Sequence, residues 1–599
     1  MIGRLREAPP KDRLLGWVVT VVITLLALGV RFAGLDYPSD FVFDETYYAK
    51  DAWSVLTYGY ERSWVEGANE ILESGDYSKA QEEDPDAVAK YCPDGVETCT
   101  WNGLKDGAAF IVHPQVGKWL IAAGEAMFGF NSFGWRFMPL LFGSLLVFVT
   151  IRLARRLSRS TLIGGLAGVL LTCDGLAFVM SRTALLDIFQ AFFIVAAVGC
   201  VVADRDYFRH RLADRIEGIG LANPRTARAA GRPRPPSWRA AFRTAGGRSA
   251  SSDGLSPSSP ASPASAGTAA AGTLVAVAAG SPLNLNGRSG GFIFRPWLLA
   301  AGLLFGLACG TKWNSMYPLA VCGVLVLVWS ISARRLAGAR NRMWDAVWLD
   351  GIPAFFSMVV VGFITYTASW FSWLKSSAAW DRDWGAAHPD DPLVKLFGNA
   401  LGSLAHYHTA IYDFHVGEQM ANATHHYSSN PWGWLVLAKP IGFDAVNKIQ
   451  PGTDGCPPDG GECLRVISGT GTPLLWWAAA AAFIIGLVWW LAGADWRFGV
   501  VSLAMLSTWA PWIMDTVGRP LFFFYAITMV PFTVIGLAMA LGVLLGPANA
   551  GRRRWRGAVA VGVIVGLIIV DFAFIYPILT DDLLQRSHWQ WRMWFTSWI

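Results

Sequence analysis

Long apolar runs, separated by short breaks rich in Arg, Gly and Pro, dominate the chain. Crossing a hydrocarbon core takes about 17–25 residues of helix. Runs of that order lie near 14–33, 134–152, 160–178, 183–203, 296–312, 315–332, 350–370, 473–493, 498–515, 520–545 and 557–579. They predict an all-α integral membrane protein with about eleven transmembrane helices. Residues 117–130 (GKWLIAAGEAMFGF) are apolar but short, and they contain Glu125. A full span there would carry the Arg152–Arg159 cluster outside, so the stretch reads as an interfacial or re-entrant helix on the outer face.

The connections sort by charge. Arg152, Arg155, Arg156 and Arg159, the segment 205–295, Arg334, Arg335 and Arg342, and Arg552, Arg553, Arg554 and Arg556 mark one face as cytoplasmic. The segments 34–133 and 371–472 are then outside, the N-terminus is cytoplasmic and the C-terminus is outside. Arg4, Arg6, Lys11 and Arg13 before the charge-free run Leu14–Val30 resemble a signal peptide. The run is longer than an ordinary signal core and no small-x-small cleavage site follows, so it reads as a retained first span. Residues 213–288, rich in Ala, Gly, Ser, Pro and Arg, cannot bury enough apolar surface to offset chain entropy and read as a disordered cytoplasmic linker. The weakly apolar patch Gly272–Gly280 inside it is too short to span. Three parts follow: an N-terminal membrane half 1–204 with the first outer loop, the cytoplasmic segment 205–295, and a C-terminal membrane half 296–599 with the second.

Composition agrees with a membrane protein. Hydrophobic residues make up 53% and charged residues 16%, short of the quarter usual in soluble domains, and the 30 Trp suit membrane–water boundaries. The net charge of +5 is too small to point to nucleic acid. Cys173, Cys200, Cys309 and Cys322 fall in spans, where a thiol is a small apolar group. Cys92/Cys99 and Cys456/Cys463 form close pairs on the outer side, as local disulfides in an oxidising compartment would.

Charges at span edges are costly and become functional candidates. Asp44-Glu45 follows the first span; Asp44 reads equally as a solvated loop residue or as the cap of a helix over Thr46–Tyr58. His113-Pro-Gln-Val-Gly-Lys118, Arg136, Asp174, and Ser181-Arg182 through Asp187 bring further charge to the same face. There a carboxylate can deprotonate an acceptor while cations hold an anionic lipid headgroup. Arg182 and Asp187 read as readily as an ion pair stitching their hairpin, and Lys118 and Arg136 as residues snorkelling to lipid. Arg519 is another candidate for gripping a lipid phosphate, or an ordinary loop arginine. Six of nine histidines lie in the second outer segment (His388, His406, His408, His415, His425, His426), without the spacing of catalytic zinc. Contacts from His113, His425, His426 and Trp432 to sugar or acceptor are the preferred reading, with no divalent metal and no tightly bound cofactor expected.

Asp-Glu after the first span, His-Pro-x-x-Gly-Lys, Arg-Phe-x-Pro, Asp-Gly-x-x-x-x-x-Ser-Arg-x-x-x-Leu-Asp and Ser-Ser-x-Pro-Trp-x-Trp together resemble the protein O-mannosyltransferases, closest to the bacterial branch. The resemblance runs over nearly the whole chain outside 205–295. It implies a GT-C fold, a polyprenyl-phosphate-mannose lipid donor as co-substrate, and Ser or Thr hydroxyls of secreted polypeptides as acceptors at the outer face, with the secretion machinery a candidate partner. It further implies that Asp44 is the catalytic base and that Glu45 and Arg136 contribute to activity, the share of Glu45 being open. About 100 residues in the second outer segment leave no room for the β-trefoil-like insertion of eukaryotic members. A GT-C enzyme acting on a lipid or cell-wall glycan shares the fold, the donor type and the acidic loop. A secondary transporter fits less well, because no repeated half is visible and the charges gather at one face.

Overall fold

The computed structural model describes residues 5–6, 12–222, 293–339, 341–515 and 518–599. All eleven predicted apolar runs are helical over most of their length. Among the described residues, seven helices are long and apolar enough to cross a membrane: Arg13–Phe32, Ser132–Ser158, Asp187–Glu217, Trp313–Ala337, Arg342–Ser369, Pro473–Leu491 and Arg552–Ile578. Thr161–Thr172, Pro296–Cys309 and Val530–Leu545 are shorter apolar helices, and Trp496–Ile513 completes the set. Two expected spans are broken near one end. The run 160–178 stops at Thr172 and restarts as Gly175–Met180, with Asp174 capping the new helix through Ala177 N–H at 2.8 Å. The run 520–545 begins with a 3-10 turn, Phe523–Thr528, before the helix proper.

One large apolar cluster runs through the helices, drawing on Leu146, Phe178, Phe189, Phe305, Met505 and Phe532 among others. Two buried ion pairs join helices away from these turns, as burial requires. Arg334 meets Asp350 at 2.6 Å, and Arg295 binds Asp204. The expected linker needs a later start. The helix begun at Asp187 continues to Ala222, and Ala213 and Ile216 pack with Phe208, Leu212, Ile293 and Ala333. Apolar residues at helical spacing in 208–216 explain the continuation. Residues 223–288 and the Gly272–Gly280 patch lie outside the described residues.

The two long segments expected outside are not purely helical. Strands Arg62–Trp64 and Leu104–Ala108 pair antiparallel in the first segment. In the second, Ile441–Ile449 pairs antiparallel with Cys463–Gly469, and Leu584–Gln585 from beyond the last span adds a third strand. Both expected disulfides are formed, Cys92–Cys99 in the first segment and Cys456–Cys463 at the end of the long hairpin.

The 117–130 stretch is the helix Val116–Phe128, lying against Glu45–Tyr58 and Ser132–Ser158. Its tight seat explains the glycine of His-Pro-x-x-Gly-Lys: a Cβ on Gly117 would stand 2.6 Å from the Leu186 side chain. Val116 N–H also donates to the Gly310 carbonyl at 3.0 Å. That bond docks the first outer segment onto the turn 310–315, which joins two apolar helices and carries Lys312.

Candidate active site

The helix Glu45–Tyr58 begins at the dipeptide, and its first residues diverge in role. Phe43 holds a left-handed backbone (φ 52°), which costs of order 1–3 kcal/mol outside glycine. Its ring is wedged edge-on against Phe443, Phe522 and Phe524, from two other outer elements, at 5.2, 6.2 and 5.7 Å. Asp44 takes the cap position of the helix, yet its side chain makes no capping hydrogen bond. Burial raises its pKa to about 6, opposed by Lys312 and reinforced by Asp187.

Glu45 is fully buried and saturated. It accepts from Val42 N–H (2.9 Å), Ala184 N–H (2.8 Å) and Trp135 Nε1–H (3.3 Å), and it pairs with Arg136 at 2.8 Å. Arg136 also donates to the carbonyls of Pro38 and Asp40. With 1% of its surface exposed it neither snorkels to lipid nor has a donor left for a phosphate. The geometry gives Glu45 and Arg136 the work of folding the 35–45 loop onto the helix 132–158.

Other expected cations are also spent internally. Lys118 is buried between Asp51 at 2.8 Å and Glu61 at 3.3 Å. Arg182 donates to the carbonyls of Arg31 and Gly34 at 2.8 and 2.6 Å, closing the C-terminal end of the first helix. The hairpin pair with Asp187 therefore does not form. Asp187 instead binds Lys312 at 2.7 Å.

Lys312 is the residue that sequence reasoning missed. Its ammonium lies over the Tyr525 ring at 5.1 Å and the Phe524 ring at 5.8 Å. Nearby, Arg519 contacts Asp515 at 3.6 Å and donates to His415 Nδ1 at 3.2 Å. His113 lies between the Tyr48 and His415 rings, 6.2 and 5.8 Å away. Burial first, then Lys312, His415, Lys118 and Arg519, hold its imidazole well below the usual range, so it is neutral at pH 7. Asp44, Asp187, Lys312, His113, Arg519 and Tyr525 thus share one electrostatic neighbourhood. His425 borders it, packing edge-on against Phe522 at 4.9 Å. His426 is exposed beside Tyr427, and Trp432 is 67% exposed near Trp509. Among the described residues, no group of three or more His, Cys, Asp or Glu side chains is placed to hold a metal.

A half-buried carboxylate outside any ion pair among the described residues, with Lys312 acting on it and Arg519 in the same neighbourhood, can accept a proton from a hydroxyl while an anionic leaving group is held. Known proteins point the same way. The family model described as dolichyl-phosphate-mannose-protein mannosyltransferase matches residues 105–212. That described as the C-terminal four TMM region of protein-O-mannosyltransferase matches 400–598. The polyprenol-phosphate-mannose–protein mannosyltransferase of Mycobacterium tuberculosis is 33% identical over 595 residues, covering 98% of this chain and 93% of that protein. Its counterpart in Mycolicibacterium smegmatis is 32% identical, covering 98% and 94%. The fold is shared with the Saccharomyces cerevisiae protein O-mannosyltransferase Pmt1–Pmt2 complex bound to the sugar donor, at TM-score 0.62 and 11% identity, covering 100% of this chain and 94% of that one. The chain is therefore a multi-pass membrane glycosyltransferase, and it belongs to the polyprenol-phosphate-mannose–protein mannosyltransferase family.

Proposed function

We propose that this protein transfers mannose from polyprenyl-phosphate-mannose to Ser or Thr hydroxyls of polypeptides at the outer membrane face, with Asp44 as base. One contrast carries the reading: of two adjacent carboxylates, Glu45 is saturated by four groups while Asp44 lies in the field of Lys312 with no hydrogen bond or ion pair among the described residues. Asp44 takes the proton as the hydroxyl oxygen attacks the anomeric carbon. The bond from that carbon to the phosphate oxygen breaks, and polyprenyl phosphate leaves with inversion. The leaving group needs no general acid, because its phosphate already stabilises charge. Lys312 and Arg519 offset that charge, in the role expected of Lys118, Arg136 and Arg182. His113, neutral, is suited to a hydrogen bond with a sugar hydroxyl, and exposed His425 and Trp432 to polypeptide contacts. Acceptors reach this face during export, which makes the secretion machinery the natural supplier.

The test is transfer by the purified protein from polyprenyl-phosphate-mannose to a Ser/Thr/Pro-rich peptide, read by mass spectrometry. Mannosylated peptide from wild type and none from Asp44→Asn is expected. Transfer only to a glycolipid, or turnover surviving in Asp44→Asn, would overturn the reading.

A further inference from the structure

We propose that Asp187 is a positioning residue for the transfer, holding the Lys312 ammonium so that it faces the donor phosphate without closing an ion pair on Asp44. The inference rests on Asp44 being the base. Lys312 acts through space on two carboxylates, and it touches Asp187, at 2.7 Å. Were it to move onto Asp44, the base would become one half of a partly buried ion pair. An opposite charge that close lowers a carboxylate by about 1–3 pH units and weakens it as a proton acceptor by as much.

The backbone decides which carboxylate wins. Asp187 is the first residue of the helix Asp187–Ala222, where the helix dipole favours a negative charge. Lys312 is extended (φ −148°, ψ 138°) just beyond the helix Pro296–Cys309 that packs along the same element. One turn past Asp187, Gln190 donates to Asn314 Oδ1 at 2.5 Å and to Ser315 Oγ at 2.8 Å, pinning the turn that carries Lys312. Asp187 is thus presented by a helix start and Lys312 by a turn that Gln190 ties to the same helix, whereas Asp44 arrives on the loop turned by Phe43. The other titratable groups facing this cluster among the described residues include Tyr48, Tyr525, His113, His415, Lys118, Asp51 and Arg519, with Arg519 held by Asp515 and His415.

Single-turnover transfer measured from about pH 4.5 to 8 separates this role from simple support. Wild type should show a rising limb near pH 6 that Asp44→Asn abolishes. In Asp187→Asn the limb should move down by about 1–2 pH units, because the like charge of Asp187 is gone and the freed ammonium closes on Asp44, and the plateau rate should fall because that ammonium no longer faces the phosphate. Asp187→Glu should restore the wild-type limb. Asp187→Ser carries the same expectation as Asp187→Asn and suits a helix start if the Asn variant does not insert. A limb unmoved in both variants, or a limb that moves while the plateau rate stays at the wild-type level, would overturn the role of Asp187 and leave Asp44 as base. Turnover surviving in Asp44→Asn would overturn both.

Discussion

Asp44→Asn should make the protein more stable, and only above a definite pH. Burial raises this carboxyl from its usual 3.8 to about 6, the loss of hydration outweighing Lys312 and adding to Asp187. Between those values the folded protein holds a proton that the unfolded chain has released, so wild-type stability falls as pH rises through the window. The 2.2-unit difference (6 − 3.8) at 1.36 kcal/mol per unit sets a ceiling of about 3 kcal/mol. Asp44 keeps some solvent access, which lowers the effect below that ceiling. The amide is isosteric with the protonated acid and does not titrate. Variant and wild type should therefore coincide near pH 4 and diverge to a plateau above about pH 6, with the variant melting higher. Thermal unfolding of both proteins in detergent, followed by Trp fluorescence from about pH 4 to 7.5, reads the difference directly, and other titrating groups cancel in it. A gap that does not change with pH would refute the reasoning, as would a wild type that gains on the variant with rising pH.

Arg136→Ala should lower stability by about 3–5 kcal/mol by orphaning buried Glu45. In a double-mutant cycle with Glu45→Ala the two losses should be far from additive, and additive losses would separate the pair. Arg519→Gln should slow transfer about 10²-fold with little change in melting temperature, as expected of a charge that acts on the leaving phosphate; unchanged kinetics would remove it from that role. Replacing Cys456 and Cys463 by Ser opens a loop of seven-residue separation and should cost about 2.5 kcal/mol, seen as faster proteolysis of 440–470 under non-reducing conditions.

How far these features were legible in the sequence depends on the length scale of the signal. Membrane helices announce themselves through runs of 18 or more apolar residues, and every expected run is helical. A break inside a run leaves no trace in such an average. Cys173-Asp174 interrupts one because Asp174 serves both a helix cap and Trp476 Nε1–H at 2.6 Å, a partner some 300 residues away. The strand Ile441–Ile449 alternates buried Ile441 and Phe443 with outward residues over its first half, a period-two signal that was present but short. Lys312 could have been found by the rule applied to its neighbours: a lone cation in a short outer turn between two spans is costly unless it has a task. The apolar run 296–312 absorbs it as a last residue. The fates of Lys118, Arg136 and Arg182 were not readable, since a cation's partner is a matter of tertiary distance.

The Asp-Glu dipeptide shows why adjacency in sequence is a poor guide to shared chemistry. Successive residues at a helix start do not face each other; their side chains diverge by about 100°. If Glu45 points inward to Arg136, Asp44 must point elsewhere, and Phe43's left-handed turn sends it toward Lys312 and Asp187. The glutamate is therefore bound up with the aspartate's role: its four bonds fix the first turn of the helix, and with it the direction in which Asp44 looks. This predicts opposite signatures for the two losses. Glu45→Gln keeps the shape but weakens the Arg136 anchor, so it should lower stability and blur the pH limb of transfer without abolishing turnover. Asp44→Asn should abolish turnover while raising stability. Measured side by side, equal loss of turnover with no loss of stability in Glu45→Gln would place both carboxylates at the reacting atoms and contradict the geometry.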